Sequence, residues 1–374
     1  MGIQLGGLGF FVGPPVLGGS DDLDRVIRDF IDGANDQLLV AVQELNSRAI
    51  AEALLAAKAR GVRVRLILEG DYLTESPPVG DPWAMAGDNE RNRVIHSALL
   101  RAGVDVITDL NQNIFHDKFI VRDPGRPTAS VLTGSANFTL TDTGTNPPEV
   151  VGLEAGNNLN HVIVLEGRRA ADQYLAEFER MRSGTFGELR ERHEPRPVEF
   201  RLGNVRVKPL FSPRHGPEME LMKQMLKATR RVDFAMFTFA KSSGIDDTMR
   251  RLVPGVRIRG ILDRGQAAQA WAATGGLQQA GVELFENRPG TGVRKVHHKL
   301  MVIDERLVIG GSFNYTAPAA TLNDENIVVL GDLEETDPEA EEAQRRLAAF
   351  ALAEIDRIIA DLADPLPVEG VVPV

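Results

Sequence analysis

The chain carries the pattern His-x-Lys-x-x-x-x-Asp twice, and each copy is followed by a Gly-Ser-x-Asn turn. The two patterns consist of His116, Lys118 and Asp123, and then of His297, Lys299 and Asp304. The two turns supply Ser135 and Asn137 after the first pattern, and Ser312 and Asn314 after the second. Two compound strings in the same internal order indicate a duplicated unit. The chain is therefore expected to fold as two related halves.

Other segments recur in the same order, so the duplication extends beyond the motifs. Residues 61–68 (GVRVRLIL) return as residues 255–262 (GVRIRGIL), and residues 102–106 return in similar form as residues 280–284. A repeat this long indicates two copies of a whole domain rather than a solenoid. We expect a first lobe at residues 1–181, a polar linker at 182–197, and a second lobe at 198–374. A terminal helix is expected within residues 334–363.

Both halves alternate between short apolar runs and longer amphipathic segments. Residues 37–42 and 232–237 predict buried strands, whereas residues 47–60 and 266–280 predict helices. Ser20 is the candidate N-cap of a first helix at residues 21–33. Such alternation predicts an α/β fold in which helices cover both faces of a sheet.

Composition narrows the setting of the protein. The chain has 374 residues, of which 43% are hydrophobic, enough for two domains with sizeable cores. The lack of cysteine excludes disulfides and zinc–cysteine sites and favours an intracellular setting. Since no segment predicts a signal peptide or a membrane span, we expect a cytoplasmic protein without stable membrane insertion. The net charge of −11 argues against a broad nucleic-acid-coating surface but is compatible with a local positive cleft.

The doubled set of side chains suits the cleavage of a phosphodiester. Because alternate side chains of a strand share a face, His116 and Lys118 are expected to point the same way, as are His297 and Lys299. One imidazole can attack phosphorus to form a phosphohistidine while the other protonates the leaving oxygen. The lysines and the asparagines of the two turns would hold the phosphate oxygens. This scheme requires neither a metal nor another cofactor.

Several neighbouring residues are expected to support this chemistry. Asp123 and Asp304 follow each lysine by five residues and are expected to cap turns or form salt bridges rather than react. His298 should face away from the site and be structural. Arg294 and Lys295, just before the second pattern, are candidates for binding flanking phosphates.

A nucleophilic histidine also needs its second ring nitrogen oriented, usually by a carboxylate. Glu325 follows the second turn, and Asn160 occupies the corresponding position in the first half. Pairing each partner with the histidine of its own half gives His297 the carboxylate and His116 only an amide. We therefore expect the two imidazoles to differ in basicity and in role.

The paired motifs, together with the Asn-x-Glu string at residues 323–325, resemble those of the phospholipase D superfamily. The resemblance covers nearly the whole chain. It implies two pseudo-symmetric α/β/α lobes packed side by side, with one active site at their interface, a covalent phosphohistidine and no metal requirement. In related enzymes the first-lobe histidine is commonly the nucleophile, which implies His116 here. Asn160 departs from the pattern, since a carboxylate is usual at that position.

The motifs leave the substrate open among three hypotheses. The favoured one is a cytoplasmic nuclease that cleaves DNA or RNA as an endonuclease, because no signal or membrane segment is evident. The alternative is a phospholipid phosphodiesterase or transphosphatidylase, of the phospholipase D or cardiolipin synthase type. In that case Phe10 and Phe11 of the apolar start could touch a bilayer, although the same residues predict the first strand of the sheet. The third is a scaffold that binds phosphate without cleaving it, against which the two intact motifs argue.

Overall fold

The computed structural model describes residues 1–152, 155–189 and 195–366. Part of the expected linker, residues 190–194, and the end of the expected second lobe, residues 367–374, lie outside the described residues. The strands of the first half are β1 (Ile3–Leu5), β2 (Leu8–Gly13), β3 (Gln37–Val42), β4 (Arg63–Leu68), β5 (Asp105–Thr108), β6 (Lys118–Arg122), β7 (Ser130–Gly134) and β8 (Asn157–Glu166). Its helices are α1 (Leu23–Asp32), α2 (Arg48–Ala59), α3 (Glu90–Arg101), α4 (Leu140–Thr143) and α5 (Arg168–Arg182).

The second half repeats this order with added segments. Its strands are β9 (Phe200–Leu202), β10 (Val205–Ser212), β11 (Arg231–Met236), β12 (Arg257–Leu262), β13 (Glu283–Asn287), β14 (Val293–Val296), β15 (Lys299–Ile303), β16 (Leu307–Gly311), β17 (Glu325–Leu330) and β18 (Ala363–Pro365). Its helices are α6 (Pro217–Met225), α7 (Ile245–Leu252), α8 (Arg264–Ala267), α9 (Thr274–Ala280), α10 (Ala317–Thr321) and α11 (Pro338–Arg357).

The two sheets have the same topology, which confirms the predicted duplication. The first runs β1-β2-β8-β7-β6-β3-β4-β5, and the second contains the matching order β9-β10-β17-β16-β15-β11-β12-β13, to which β18 adds at the edge. In both, the motif strand runs antiparallel to its two neighbours, while the three strands at one end run parallel. β14 is the exception, because it lies in the second half of the chain but pairs with β8 of the first sheet.

Each sheet separates an outer core from a core that the two lobes share. Leu38 and Val40 of β3 face the outer cluster beneath α1, α2 and α3, whereas Leu39 faces the shared cluster, as the two-residue period of a strand requires. In the shared core, Tyr174 of α5 packs edge-on against Phe119 of the first lobe and Phe211 of the second, with ring centroids 5.1 and 4.9 Å apart. The expected pair of α/β/α lobes, side by side, is therefore present.

Most predicted elements are present, and the differences have local causes. The helix expected at residues 266–280 is two helices, because Trp271 and Ala273 bond to the backbone after β11 instead of continuing the helix. Ser20 is not the N-cap of α1. Its hydroxyl donates to Asp21, and the Asp22 side chain caps the helix. The terminal helix starts at residue 338 rather than 334, since Asp337 caps its start. It continues past α11 as a π-helical turn over residues 358–362, and the chain then pairs with β13 from residue 363, close to the predicted end.

The apolar start of the chain is part of the first sheet. Phe10 is fully buried and stacks on His161 with ring centroids 5.5 Å apart, and Phe11 packs against the outer core. The idea that these two rings touch a bilayer is therefore wrong, because both pack against the protein core. Within the described ranges, no helix is both long and apolar enough to cross a membrane.

Asp123 and Asp304 each hold the start of a neighbouring strand, in keeping with the structural role expected of them. Asp123 accepts hydrogen bonds from the backbone N–H groups of residues 35, 36 and 37 at 2.7–3.1 Å. Asp304 accepts from those of residues 229, 230 and 231 at 2.7–2.9 Å. Burial raises their pKa, but these donors outweigh it and lower the pKa of both carboxyl groups. Each motif strand is thus tied to the strand beside it.

Replacing Asp123 with alanine should destabilise the protein, because three backbone N–H groups lose their acceptor. We expect the free energy of unfolding to fall by about 2–3 kcal/mol, measured by urea denaturation. Asp172→Ala, which removes a half-exposed partner of Arg168 on α5, is the control and should change it by less than about 0.5 kcal/mol. Equal effects of the two substitutions would contradict the capping role.

Candidate active site

The two motifs open onto one cleft between the lobes. The cleft has a volume of about 1070 Å³, and its walls include the two histidines and the two turn asparagines of the doubled motif, His116, Asn137, His297 and Asn314. Arg294 and Lys295, the candidates for phosphate contact, also line it. The sequence-predicted residues of both halves therefore meet at one place.

Backbone pairing between the lobes sets the position of each histidine. The His116 N–H group donates to the carbonyl of Asp324 at 2.9 Å, and the His297 N–H group donates to the carbonyl of Leu159 at 3.0 Å. The histidine of each motif is thus bound to the start of a strand in the other half, β17 for His116 and β8 for His297. These two strands carry Glu325 and Asn160. These two contacts are related by the pseudo-twofold symmetry of the fold.

The orienting partners consequently cross between the lobes. His116 Nδ1 lies 2.6 Å from Glu325 Oε2, and His297 Nδ1 lies 2.9 Å from Asn160 Oδ1. The expectation that Glu325 serves His297 and that Asn160 serves His116 is therefore wrong. Alignment identified the equivalent positions correctly, but the interlobe pairing brings each partner to the histidine of the opposite half.

The serines of the two Gly-Ser-x-Asn turns hydrogen-bond to these partner residues and hold them in place. The Ser312 hydroxyl donates to Glu325 Oε2 at 2.6 Å, and the Ser135 hydroxyl donates to Asn160 Oδ1 at 2.8 Å. All four residues are fully buried, so each hydrogen bond forms in a medium of low dielectric constant, where it is strong. Serine, partner and histidine form one chain in each half of the site.

Lys118 and Lys299 lie below the cleft with almost no exposure. Each ammonium group donates to the carbonyl of the histidine in its own motif, at 2.7 Å for His116 and 3.0 Å for His297. Burial lowers the pKa of Lys118 to about 8. Burial also lowers the pKa of Lys299 well below its usual range, with the charge of Lys118 adding to the effect. A bound phosphate anion would therefore favour the charged forms of both lysines, which burial and their mutual repulsion disfavour.

The electrostatics of the histidines favour a free ring nitrogen. Burial and the two lysines lower the pKa of both His116 and His297 well below the usual range, so the rings are neutral near pH 7. Burial raises the pKa of Glu325 to about 8. Several contacts oppose this rise, and the positive charge of Lys118 is the largest of them. As pH rises through about 8, Glu325 becomes ionised, accepts the Nδ1 proton of His116 and leaves Nε2 with the lone pair that attack on phosphorus requires.

The residues between histidine and lysine in each motif face away from the cleft, as expected. The Asn326 amide donates to Asp117 Oδ1 at 2.9 Å. His298 Nδ1 lies 3.2 Å from His161 Nδ1, and its Nε2 lies 3.4 Å from Glu354 Oε1. His298 thus joins the interlobe core. Across the described part of the chain, no cluster of three or more His, Cys, Asp or Glu side chains could hold a metal ion.

Sequence reasoning missed part of the cleft wall. The residues that were not predicted include Glu44, Tyr72, Asp142, Phe237 and Trp271. Phe237 lies under the ammonium groups of Lys295 and Lys299, 5.2 and 5.1 Å from its ring centroid, and Glu44 has its pKa raised by burial to about 7. Glu44 and Phe237 could have been found from the sequence, because they come within two residues after the ends of β3 and β11, the strands that pair with the two motif strands. Nothing in the sequence pointed to Trp271, which the break between α8 and α9 brings to the cleft.

Comparisons with known proteins agree with this geometry. A family model described as the PLD-like domain of cardiolipin synthase matches residues 27–182 and 221–347. A mitochondrial cardiolipin hydrolase from Chlamydomonas reinhardtii is 36% identical over 105 residues, or 28% of this chain and 46% of that protein. A phospholipase D from Rickettsia prowazekii is 29% identical over 132 residues, or 35% of this chain and 62% of that protein. The chain thus matches less than two thirds of the length of either relative.

Solved structures share the fold across nearly the whole chain. Phosphatidylserine synthase from Haemophilus influenzae Rd KW20 has a TM-score of 0.63 at 14% identity, covering 98% of this chain and 88% of that one. Polyphosphate kinase from Porphyromonas gingivalis has a TM-score of 0.61 at 12% identity, covering 96% of this chain and 48% of that one. The fold and the site define a two-lobed protein with a doubled histidine–lysine centre. Since the family model matches more than half of the chain, the protein belongs to the phospholipase D-like family.

The lysine pair predicts how the site binds a tetrahedral oxyanion. Tungstate should bind in the cleft, and its affinity should fall as pH rises through about 8, because Lys118 loses its positive charge there while Glu325 gains a negative one. Lys118→Met should weaken binding at pH 7 about tenfold and flatten this pH dependence, measured by isothermal titration calorimetry. Lys227→Met, which removes an ammonium paired with Glu334 outside the cleft, should leave both unchanged. An affinity that is constant from pH 7 to 9 in the wild type would contradict the assignment.

Proposed function

We propose that this protein is a phosphodiesterase that cleaves or transfers phospholipid head groups through a phosphohistidine at His116. The observation that carries the proposal is the one cleft that both oriented imidazoles line, with two buried ammonium groups beside them. That set provides a nucleophile, a proton donor and charge neutralisation at one phosphorus atom. The names of the relatives, phospholipase D and cardiolipin hydrolase, support the phosphodiesterase class.

The reaction follows from the roles that the geometry offers. Nε2 of His116 attacks phosphorus, an N–P bond forms, and the P–O bond to the leaving alcohol breaks. His297 takes up a proton at Nε2 when the phosphate anion enters the cleft, and it donates that proton to the leaving oxygen. It then takes a proton from water or from a second alcohol, whose oxygen displaces His116 from phosphorus. Lys118 and Lys299 neutralise the charge that gathers on the phosphate oxygens.

The choice of His116 as nucleophile rests on its partner. Its Nδ1 lies 2.6 Å from the carboxylate of Glu325, whereas Nδ1 of His297 lies 2.9 Å from an amide oxygen. A carboxylate raises the electron density of the ring and stabilises the positive charge of the phosphorylated imidazole better than an amide does. This corrected pairing agrees with the resemblance, which also implied His116.

Phospholipid fits the cleft better than nucleic acid, which was the favoured expectation. Arg294 and Lys295 line the cleft together with Glu44 and Asp142, so its wall carries charges of both signs and suits one phosphate rather than a run of phosphates. The two sequence relatives, a cardiolipin hydrolase and a phospholipase D, have names of lipid-cleaving enzymes, which supports a lipid substrate over nucleic acid. The lipid hypothesis, held as the alternative on sequence grounds, is therefore the one we adopt.

Exposed apolar side chains beside the cleft also suit a lipid surface. Trp83 and Met85 are 93% and 79% exposed and lie in the segment before α3. The same segment brings Asp88 and Asn89 to the cleft wall. Trp271, also in the wall, is 43% exposed. Tryptophan favours the boundary between water and the acyl chains, so this rim could dock on a bilayer whose head groups enter the cleft.

A substrate panel tests the proposal directly. With EDTA present, the wild type should release head group from vesicles of phosphatidylglycerol, phosphatidylcholine or cardiolipin, and it should form phosphatidylethanol when ethanol is added. His116→Ala should lower this turnover by at least about 10³-fold, because the nucleophile is lost. Plasmid, oligonucleotide and RNA serve as competing substrates. Cleavage of these with intact lipid would sink the lipid assignment, and cleavage of neither class would sink the proposed activity.

The exposed rim predicts a difference between vesicles and dissolved lipid. Trp83→Ala should lower the rate on vesicles about tenfold, since a surface contact is lost, and leave the rate on monomeric short-chain phosphatidylcholine unchanged. Leu226→Ala, at an exposed leucine at the end of α6, is the matched control and should affect neither substrate. An equal loss on both substrates would place the effect of Trp83 in the fold instead of at the lipid surface.

A further inference from the structure

We propose that Asp142 is the positioning carboxylate of His297 and replaces the acidic residue that is missing at position 160. The inference rests on the proposed function, in which His297 carries and returns the proton of the leaving group. Asp142 lies in α4, is buried, and belongs to neither of the two motifs. It acts on the ring from the first lobe, from which Asn160 also reaches His297.

The two halves carry their acidic residue at different positions. The turn followed by Thr139-Leu140-Thr141-Asp142 in the first half corresponds to the turn followed by Thr316-Ala317-Pro318-Ala319 in the second. Asp142 therefore stands where the second half has Ala319, and Asn160 stands where it has Glu325. Each half keeps one carboxylate close to the histidine that it serves, but in the first half that carboxylate comes from α4 instead of from the strand.

The contacts of Asp142 place its charge beside the ring. Its Oδ1 lies 3.7 Å from His297 Nδ1 and accepts a hydrogen bond from the Asn160 amide at 3.1 Å. The Asn158 amide donates to the same oxygen. In the second half the equivalent residue of Asn158, Asn323, donates to Glu325 instead. In each half, the asparagine two residues before position 160 or 325 therefore donates to the carboxylate that the half carries.

The surroundings of His297 make this charge consequential. Lys118, Lys295, Lys299 and the ring of His116 all disfavour a proton on His297, and burial disfavours it most. Over the described parts of the chain, no lysine or arginine forms an ion pair with Asp142. Its charge favours the charged forms of Lys118 and Lys299, and at 3.7 Å from Nδ1 it also lies close enough to stabilise the imidazolium that forms when His297 is protonated. Because Asn160 lies between, the carboxylate supports that proton without binding it directly, which suits a group that must give the proton up.

A purely structural role for Asp142 is the competing explanation. Its Oδ2 accepts the backbone N–H group of Asn137 at 2.8 Å, so the carboxylate also shapes the first turn. Such a role would affect all substrates alike. Support of a proton on His297 would instead matter only where the leaving group needs that proton.

The experiment compares two dissolved short-chain substrates with the same phosphatidyl group, phosphatidylcholine and phosphatidyl-p-nitrophenol. Choline leaves as a poor alkoxide and needs the proton, whereas p-nitrophenolate leaves without one. In single-turnover measurements, Asp142→Asn should slow phosphoenzyme formation about 100-fold with phosphatidylcholine but no more than about threefold with phosphatidyl-p-nitrophenol. Asp246→Asn, which alters a buried aspartate of α7 paired with Arg250, is the control and should change neither rate.

A second variant moves the carboxylate to the position it has in the other half. The double change Asp142→Ala with Asn160→Glu copies the pair formed by Ala319 and Glu325, and it should restore the rate with phosphatidylcholine to within about tenfold of the wild type. Equal losses with both substrates in Asp142→Asn, or no recovery in a folded double variant, would overturn the role of Asp142.

Failure of the proposed function is distinguishable from failure of this inference. A wild type that cleaves no phosphodiester would contradict the proposed function alone. The protonation of His297 can then be followed by ¹⁵N NMR titration, in which Asp142→Asn should lower the pKa of that ring. An unchanged titration of His297 would overturn the positioning role whatever the activity of the protein.

Discussion

Two backbone hydrogen bonds between the lobes determine the rest of this site. They join the histidine of each motif to the strand start of the other half, at Asp324 and at Leu159. A backbone contact cannot slip without also moving the strand behind it, so the side chains that follow are delivered in fixed register. The crossed partners, the shared cleft and the burial of both lysines all follow from this pairing. The site is therefore a property of the interface and belongs to neither lobe alone.

Much of the fold could be predicted from the sequence, because its signals are local. The apolar run at β3 has the same limits in the structure as in the prediction, and Ser47 caps α2 in the manner expected of a serine before a helix. Where prediction failed, a distant segment competed with a local preference. Trp271 bonds to the backbone after β11, which divides a segment whose composition favoured one helix. Periodicity within a segment contains no information about such a competitor.

The candidate site was predictable in its membership but not in its connections. The doubled motif identified the histidines, lysines and asparagines that line or underlie the cleft. It could not assign Glu325 to His116, because alignment relates positions within each half and says nothing about which half each side chain faces. Asp142 went unnoticed for a related reason. Its importance is visible only beside Ala319 and Asn160, when both the equivalence of the turns and the distance to His297 are known.

The crossed partners also bear on how such a chain can diverge. In a symmetric pair of identical single-motif subunits, any substitution appears on both sides of the site at once, so the two imidazoles must remain alike. Joining the halves in one polypeptide removes that constraint. The first half carries Asn160 and Asp142 where the second carries Glu325 and Ala319, a difference that two identical subunits could not show. Asymmetry between the two halves of the reaction can then be inherited instead of being imposed by the substrate.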